Sequence, residues 1–154
     1  MNTSFEYCVD TELTLKAFSD FICAVSDDFV PPLLGRVDVP SYFEKIHTNA
    51  VVVTCGNREK EIIGLCAMYC NNTTQKVAYI TLIAVLKGYR GQRIATKLLE
   101  LSERKAKTMG MKKLGIHTNN NIALQCYLKV GYNIVEQHLL EEHNLVRYYL
   151  EKEV

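Results

Sequence analysis

Apolar residues recur three and four positions apart at Leu13, Ala17, Phe18, Phe21, Ile22 and Val25, the spacing that makes one side of a helix apolar. The pattern predicts a first helix over residues 13–29, capped by Asp10 or Thr11 and ended by Pro31-Pro32, because proline breaks the helical hydrogen-bond ladder. The preceding "FEYCVD" reads as a short strand. "LLGRVDVP" reads as a loop, with Ser41 as cap of a second helix through "YFEKIHTN". The period then shortens. "AVVVTCGNREKEIIGLCAMYC" places β-branched and apolar runs on either side of a turn at Gly56-Asn57, which predicts a hairpin.

"NNTTQ" is a turn, and "KVAYITLIAVL" is apolar at both alternating sets of positions, as a strand covered on both faces requires. Helical spacing returns at Ile94, Ala95, Leu98, Leu99, Leu101, Ser102 and Ala106. Lys97, Glu100, Glu103 and Lys107 fall on the solvent side, and Gly110 is the stop. "KKLGIHTN" predicts a further strand, "NNIALQCYLKVG" a short helix ending at Gly131, and "YNIVEQHLL" with "NLVRYYLEK" a terminal strand pair. The order is strand, two helices, three strands, helix, strand, helix, two strands. It gives an α/β (α+β) fold: a mixed sheet with helices on its faces. With 154 residues, the chain fits one domain spanning residues 1–154.

A formal net charge of +1 argues against a general polyanion surface and so against nucleic acid as a partner. Any anion site must be local. The six cysteines, Cys8, Cys23, Cys55, Cys66, Cys70 and Cys126, show no metal-ligand spacing and read as reduced, buried thiols, with no metal. "MNTSFEYCVD" has no basic segment leading an apolar core, and no apolar run is long enough to cross a bilayer. The expectation is a cytoplasmic protein with no membrane partner, a monomer or a homodimer through its C-terminal sheet edges.

"YRGQRIATKLLE" raises a local question: it puts Arg90, Gly91, Gln92 and Arg93 at the start of the long helix. A helix start offers unpaired amides and the positive end of the dipole, a suitable seat for phosphate. The stretch from Tyr79 to Gln137 resembles the central part of the GCN5-related N-acetyltransferases. That family's phosphate pattern is Gln or Arg, two residues, Gly, one residue, then Gly or Ala. Arg90 and Ala95 match its ends, while Arg93 stands in place of the middle glycine. Downstream, Asn120, Ala123, Tyr127, Lys129, Gly131 and Tyr132 fill the family's second pattern.

The resemblance implies a mostly antiparallel sheet of about seven strands flanked by four helices, with two splayed parallel strands ending near Leu86 and Thr118. It implies acetyl-CoA as co-substrate, with main-chain groups of Ala84 and Val85 on the pantetheine arm. Amides from Gly91 to Thr96, including Gln92, Ile94 and Ala95, would hold the pyrophosphate, with Arg90, Arg93 and Asn120 beside them. A non-glycine residue at 93 is expected in an ordinary helical conformation.

The implied chemistry is acetyl transfer to a primary amine by direct attack in a ternary complex. The acceptor is expected to be a small metabolite such as an amino sugar or polyamine. A protein or peptide amine, or a noncatalytic acyl-CoA sensor, is the alternative. A lysine-like amine is protonated near neutral pH and must lose a proton, and the departing thiolate must be stabilised. Tyr127 is the candidate acid. The central strand lacks a carboxylate, which leaves His117 or a water chain as base. Asp27, Asp28 and Phe29 fall in the region that lines the acceptor pocket in relatives. His143, Arg147, Tyr148 and Tyr149 border the same cleft, alternation turning some inward. Cys126 lacks a basic partner and reads as a helix thiol. Arg104, Lys105, Lys107, Lys112 and Lys113 read as a solvated face, a few within reach of the adenosine 3′-phosphate.

Overall fold

The computed structural model describes residues 4–154; the N-terminal leader expectation concerns residues 1–3 in part, and these lie outside the described residues. Strand β1 (Glu6–Val9) is followed by helix α1 (Leu15–Val25), short 3-10 turns at Ser26–Asp28 and Leu33–Gly35, and helix α2 (Val39–Asn49). The hairpin β2 (Ala50–Gly56) and β3 (Ile62–Tyr69) leads to β4 (Val77–Val85), then α3 (Ile94–Thr108), β5 (Lys113–Thr118), α4 (Asn121–Lys129), β6 (Asn133–Leu140) and β7 (Leu145–Glu153). These seven strands form one sheet in the order β1-β2-β3-β4-β5-β7-β6. Every neighbouring pair is antiparallel except β4 and β5. Among the described residues, no helix is long and apolar enough to cross a membrane.

The two faces of the sheet bury separate cores. Val53, Cys66, Met68, Leu114 and Ile116 pack with Leu98 and Leu99 of α3 and Tyr127 of α4. On the other face, Val52, Leu65, Ala67 and Leu82 pack with Phe18 and Ile22 of α1 and Ile46 of α2. This is the alternation expected of strands covered on both sides. Gly64 lets α3 approach β3 closely: a Cβ there would lie 3.0 Å from the Ile94 side chain.

The helix starts differ from the sequence reading. Thr14, not Thr11 or Asp10, caps α1, its hydroxyl accepting from the Ala17 amide at 3.1 Å. Thr11 is held by the sheet, its amide donating to the Val52 carbonyl at 2.9 Å and its hydroxyl bonded to that of Thr54 at 2.8 Å. The predicted first helix ends at Val25, and residues 26–28 tighten into a 3-10 turn. Asp38 caps α2 by accepting from the Ser41 amide at 3.2 Å. Pro40 sits in the first turn, where its missing N–H costs nothing, so the helix begins before Ser41.

Some expectations about exposure are corrected. Glu103, assigned to solvent, is 15% exposed and accepts from the Tyr132 hydroxyl and the Lys152 ammonium, each at 2.9 Å. Of the expected solvated face, Arg104, Lys107, Lys112 and Lys113 are exposed, and Lys105 is half-buried and pairs with Asp10 at 2.8 Å. All six cysteines are free, but Cys8 and Cys23 are exposed, because they fall on the outward sides of an edge strand and a surface helix.

Arg93 is also corrected. It adopts the left-handed conformation, φ 62° and ψ 22°, as the residue immediately preceding α3, and Gly91 has φ 81°. The turn from β4 into α3 demands the backbone that the family's glycine supplies, and the arginine bears the cost, about 1–2 kcal/mol for a residue with a Cβ. Glycine there relieves strain but loosens the unfolded chain, effects of opposite sign and similar size. Arg93→Gly is therefore expected to fold with stability within about 1 kcal/mol of the native chain, whereas β-branched Arg93→Ile loses about 1–2 kcal/mol; urea unfolding of both variants measures the difference.

The β3–β4 register slips between Ala67 and Met68, which pair with Leu82 and Ile80, so Thr81 is an extra residue in β4. A bulge leaves its residue outside the ladder. The Tyr42 hydroxyl of α2 compensates, donating to the Thr81 carbonyl at 3.1 Å and bonding the Thr81 hydroxyl at 2.9 Å. Tyr42→Phe is expected to cost about 1–2 kcal/mol in urea unfolding, the price of an unpaired, part-buried carbonyl; an unchanged midpoint would show that the bulge does not need this contact.

Candidate active site

Strands β4 and β5 are paired from Val77 opposite Lys113 to Ile80 opposite Ile116, and no further. Past that point β4 stays with β3 as far as Val85 opposite Gly64, and β5 stays with β7 as far as Thr118 opposite Tyr148. The parallel strands therefore diverge over residues 81–85 and 117–118. This is the splay the resemblance implies, and the bulge at Thr81 sits at its apex.

The chain leaves β4 through a 3-10 turn at Lys87–Tyr89 and enters α3 beside the opening. Arg93 gives α3 no side-chain cap, and the first turn holds no acidic residue. The amides of Ile94, Ala95 and Thr96 lack intrahelical partners by position. With the left-handed residues Gly91 and Arg93 before them, they leave donors and the positive end of a fifteen-residue helix for an anion. A diphosphate fits this donor set.

Arg90 is engaged within the protein. Its Nε donates to the Val85 carbonyl at 3.1 Å and its Nη2 bonds the Asp28 carboxylate. The structure thus joins two residues assigned to opposite ends of the reaction, Arg90 for the cofactor and Asp28 for the acceptor. Gln92 reaches back to the Tyr89 carbonyl at 3.5 Å. Asn120 caps α4, its Oδ1 accepting from the amides of Ile122 and Ala123 at 2.8 and 3.0 Å. Ala84 and Val85 pair with Leu65 and Gly64 along their β3 side and face the splay on the other.

Tyr127, in α4, is 7% exposed and packs 6.0 Å from the Tyr132 ring in the core beneath α3 and α4. Burial pushes its hydroxyl pKa up, and nearby Cys66 and Cys126 push it further, so it stays protonated. His117 faces the other side of the sheet, since Leu114 and Ile116 take the α3 side and side chains alternate. Its Nδ1 is 2.7 Å from the Tyr79 hydroxyl, and its ring lies 4.8 Å from that of Tyr149. Burial lowers the His117 pKa, and Arg147 lowers it further against an opposing pull from Glu136. The two candidate catalytic side chains thus lie on opposite faces of the sheet.

Phe29 lies at the end of the first 3-10 turn with the Arg36 guanidinium 5.8 Å from its ring centroid. The Asn119 side chain ties this loop to the end of β5 by donating to the Val30 carbonyl at 2.7 Å. Tyr79, Arg36 and Tyr42 were not singled out from sequence. Alternation places Tyr79 on the face that His117 shares, but only the β4–β5 register puts the two side by side. Among the described residues, no group of three or more His, Cys, Asp or Glu side chains gathers as a metal site.

The model of the acetyltransferase (GNAT) family matches residues 21–132, a span from within α1 to just past α4 that includes both splayed strands. N-alpha-acetyltransferase 30 of Schizosaccharomyces pombe is 32% identical over 88 residues, covering 56% of this chain and 54% of that protein. The chain thus spans about half the length of this curated relative. Among solved structures, the NatC complex bound to Gag peptide and CoA aligns with TM-score 0.77 and 18% identity over 97% of this chain and 98% of that one. IAA acetyltransferase from Bacillus cereus ATCC 14579 aligns with TM-score 0.71 and 20% identity over 97% and 100%. Both likenesses concern the fold. With the family model covering most of the sequence, and with the divergent parallel strands and uncapped helix start in place, the chain belongs to the acetyltransferase (GNAT) family.

Proposed function

We propose that this chain transfers acetyl from acetyl-CoA to a primary amine by direct attack, with the cofactor held in the β4–β5 splay. The carrying observation is the loss of pairing beyond Ile80 and Ile116 beside an uncapped helix start. In this reading the amides of Gly91 to Thr96 hold the diphosphate, and the edges of Ala84 and Val85 pair with the pantetheine arm as a strand would. Arg90 and Arg93 lie beside the phosphates, and Asn120 fixes the start of α4. The cofactor supplies a thioester already activated for attack.

Tyr127 then acts as the acid that donates to the departing sulfur. Its raised pKa keeps the proton in place throughout the working range, and a buried donor aimed at developing charge is effective. His117 acts as base toward the amine, directly or through water, with Tyr79 fixing the ring. Asp28 and Phe29 border the acceptor, Asp28 through its tie to Arg90. The likeness to N-alpha-acetyltransferase 30, 32% identical over 88 residues, supports an amine presented by a protein or peptide. The small metabolite expected from sequence is the second reading. Thiol release from acetyl-CoA across panels of peptides and small amines decides between them.

Two outcomes test the chemistry. Tyr127→Phe is expected to lower kcat by about 100-fold or more, with coenzyme A affinity little changed in calorimetry; undiminished turnover would remove Tyr127 as the acid. For His117, the base form is the neutral ring, and its pKa lies below the ordinary 6.5. kcat/KM should therefore hold as pH falls toward 6.5 and decline only below it, while His117→Phe lowers the plateau and flattens that acid limb. An identical limb in the variant would place the base elsewhere.

A further inference from the structure

The sheet ends on a strand with one edge open. β6 is last in the strand order and pairs with β7 alone, and its residues from Asn133 to Leu139 are all exposed. Among the described residues, none of the main-chain bonds made outside the ladders involves residues 133–140. The outward amides and carbonyls of β6 therefore stand in water, a template for a further strand. Three large apolar side chains share the strand: Ile134, Val135 and Leu139 are 42%, 52% and 59% exposed. The other end of the sheet is β1, which is only four residues long.

What fits such an edge is set by the order of its side chains. From Val135 to Leu139 the strand runs apolar, carboxylate, amide, imidazole, apolar. A second β6 laid antiparallel about Gln137 sets Gln137 against itself, Glu136 against His138 and Val135 against Leu139. Directly opposite residues of an antiparallel pair share a face, with Cβ atoms about 5 Å apart. Each apolar side chain thus meets an apolar one, and each carboxylate meets an imidazole, which can donate a ring N–H whether or not it is charged. Alternation agrees with this pairing. Glu136 and His138 lie 3.7 Å apart on one side of the strand, and Gln137 and Leu139 take the other. Other centres fail: a two-fold axis at Glu136 opposes two carboxylates, and one at His138 sets Glu136 against Leu140. The same operation on β1 sets Glu6 against Val9 and Tyr7 against Cys8. The register slip between Ile134 and Glu136 confines the stretch to residues 135–139, because a bulge interrupts the ladder. We propose that β6 is an interface with a second copy of this chain, paired antiparallel through residues 135–139 about a two-fold axis at Gln137. The joined sheet brings His138 of the partner subunit to Glu136. Glu136 stands opposite Tyr149 on β7, so the axis lies one strand away from the Tyr79–His117–Tyr149 row, the acceptor floor of the proposed reaction. The pairing itself does not depend on that reaction.

Five paired residues bury less than the ~1,200 Å² of a stable interface, so the dimer is expected to form with a Kd on the order of 10–100 μM. Sedimentation equilibrium of the whole chain is run with a reductant, which keeps the exposed Cys8 and Cys23 from forming disulfides. The mass should rise from 17.5 kDa toward twice that value between about 1 and 500 μM. His138→Glu opposes two carboxylates on each side of the axis and should weaken association about tenfold or more. Glu136→His should weaken it as well. The combined exchange, Glu136→His with His138→Glu, re-forms both opposite pairs in this register and should return Kd to within about threefold of the native value. Hydrogen exchange at residues 135–139 should slow as the native chain is concentrated, a readout that needs no variant. A chain that stays monomeric to about 500 μM overturns the proposal, as does a dimer whose Kd ignores all three variants or whose protection falls away from β6.

Discussion

The site depends on a failure of main-chain pairing. Parallel strands that share a ladder at Val77 and Ala78 part company after Ile80 and Ile116 because each remains committed to its other neighbour. The extra residue at Thr81 turns β4 at that point, and Tyr42 takes up the carbonyl that the bulge removes from the ladder. Backbone polar groups require partners wherever water is excluded. A strand edge opened in this way can pair with a ligand that presents amides and carbonyls at strand spacing. The demand is made by the backbone, so side chains can vary widely around it, which accords with fold-level likenesses at 18–20% identity.

The opening also decides where chemistry can occur. Tyr127 belongs to the core under α3 and α4, His117 to the opposite face with Tyr79 and Tyr149. In the proposed mechanism, a substrate that uses Tyr127 as acid and His117 as base reaches both where the sheet is interrupted. Electrostatics reinforces the division. The α3 start carries positive potential with no acidic residue in its first turn, while Asp28 is paired with Arg90.

Much of this was legible in the sequence because it is local. The change of hydrophobic period marked the strands, α3 and α4, and Asn120 occupies the cap position its residue type favours. The resemblance supplied the splay, which no periodicity contains. Errors arose where a competing contact took a residue away. Thr11 went to the sheet, Ser41 was displaced by Pro40 in the first turn, and Glu103 was claimed by Tyr132 and Lys152 from distant elements. Arg93 was misjudged because residue type was allowed to set the backbone. The closure between β4 and α3 imposes φ 62°, and the side chain conforms. The acceptor floor was least visible, since the Tyr79–His117–Tyr149 row depends on the registers of three strands.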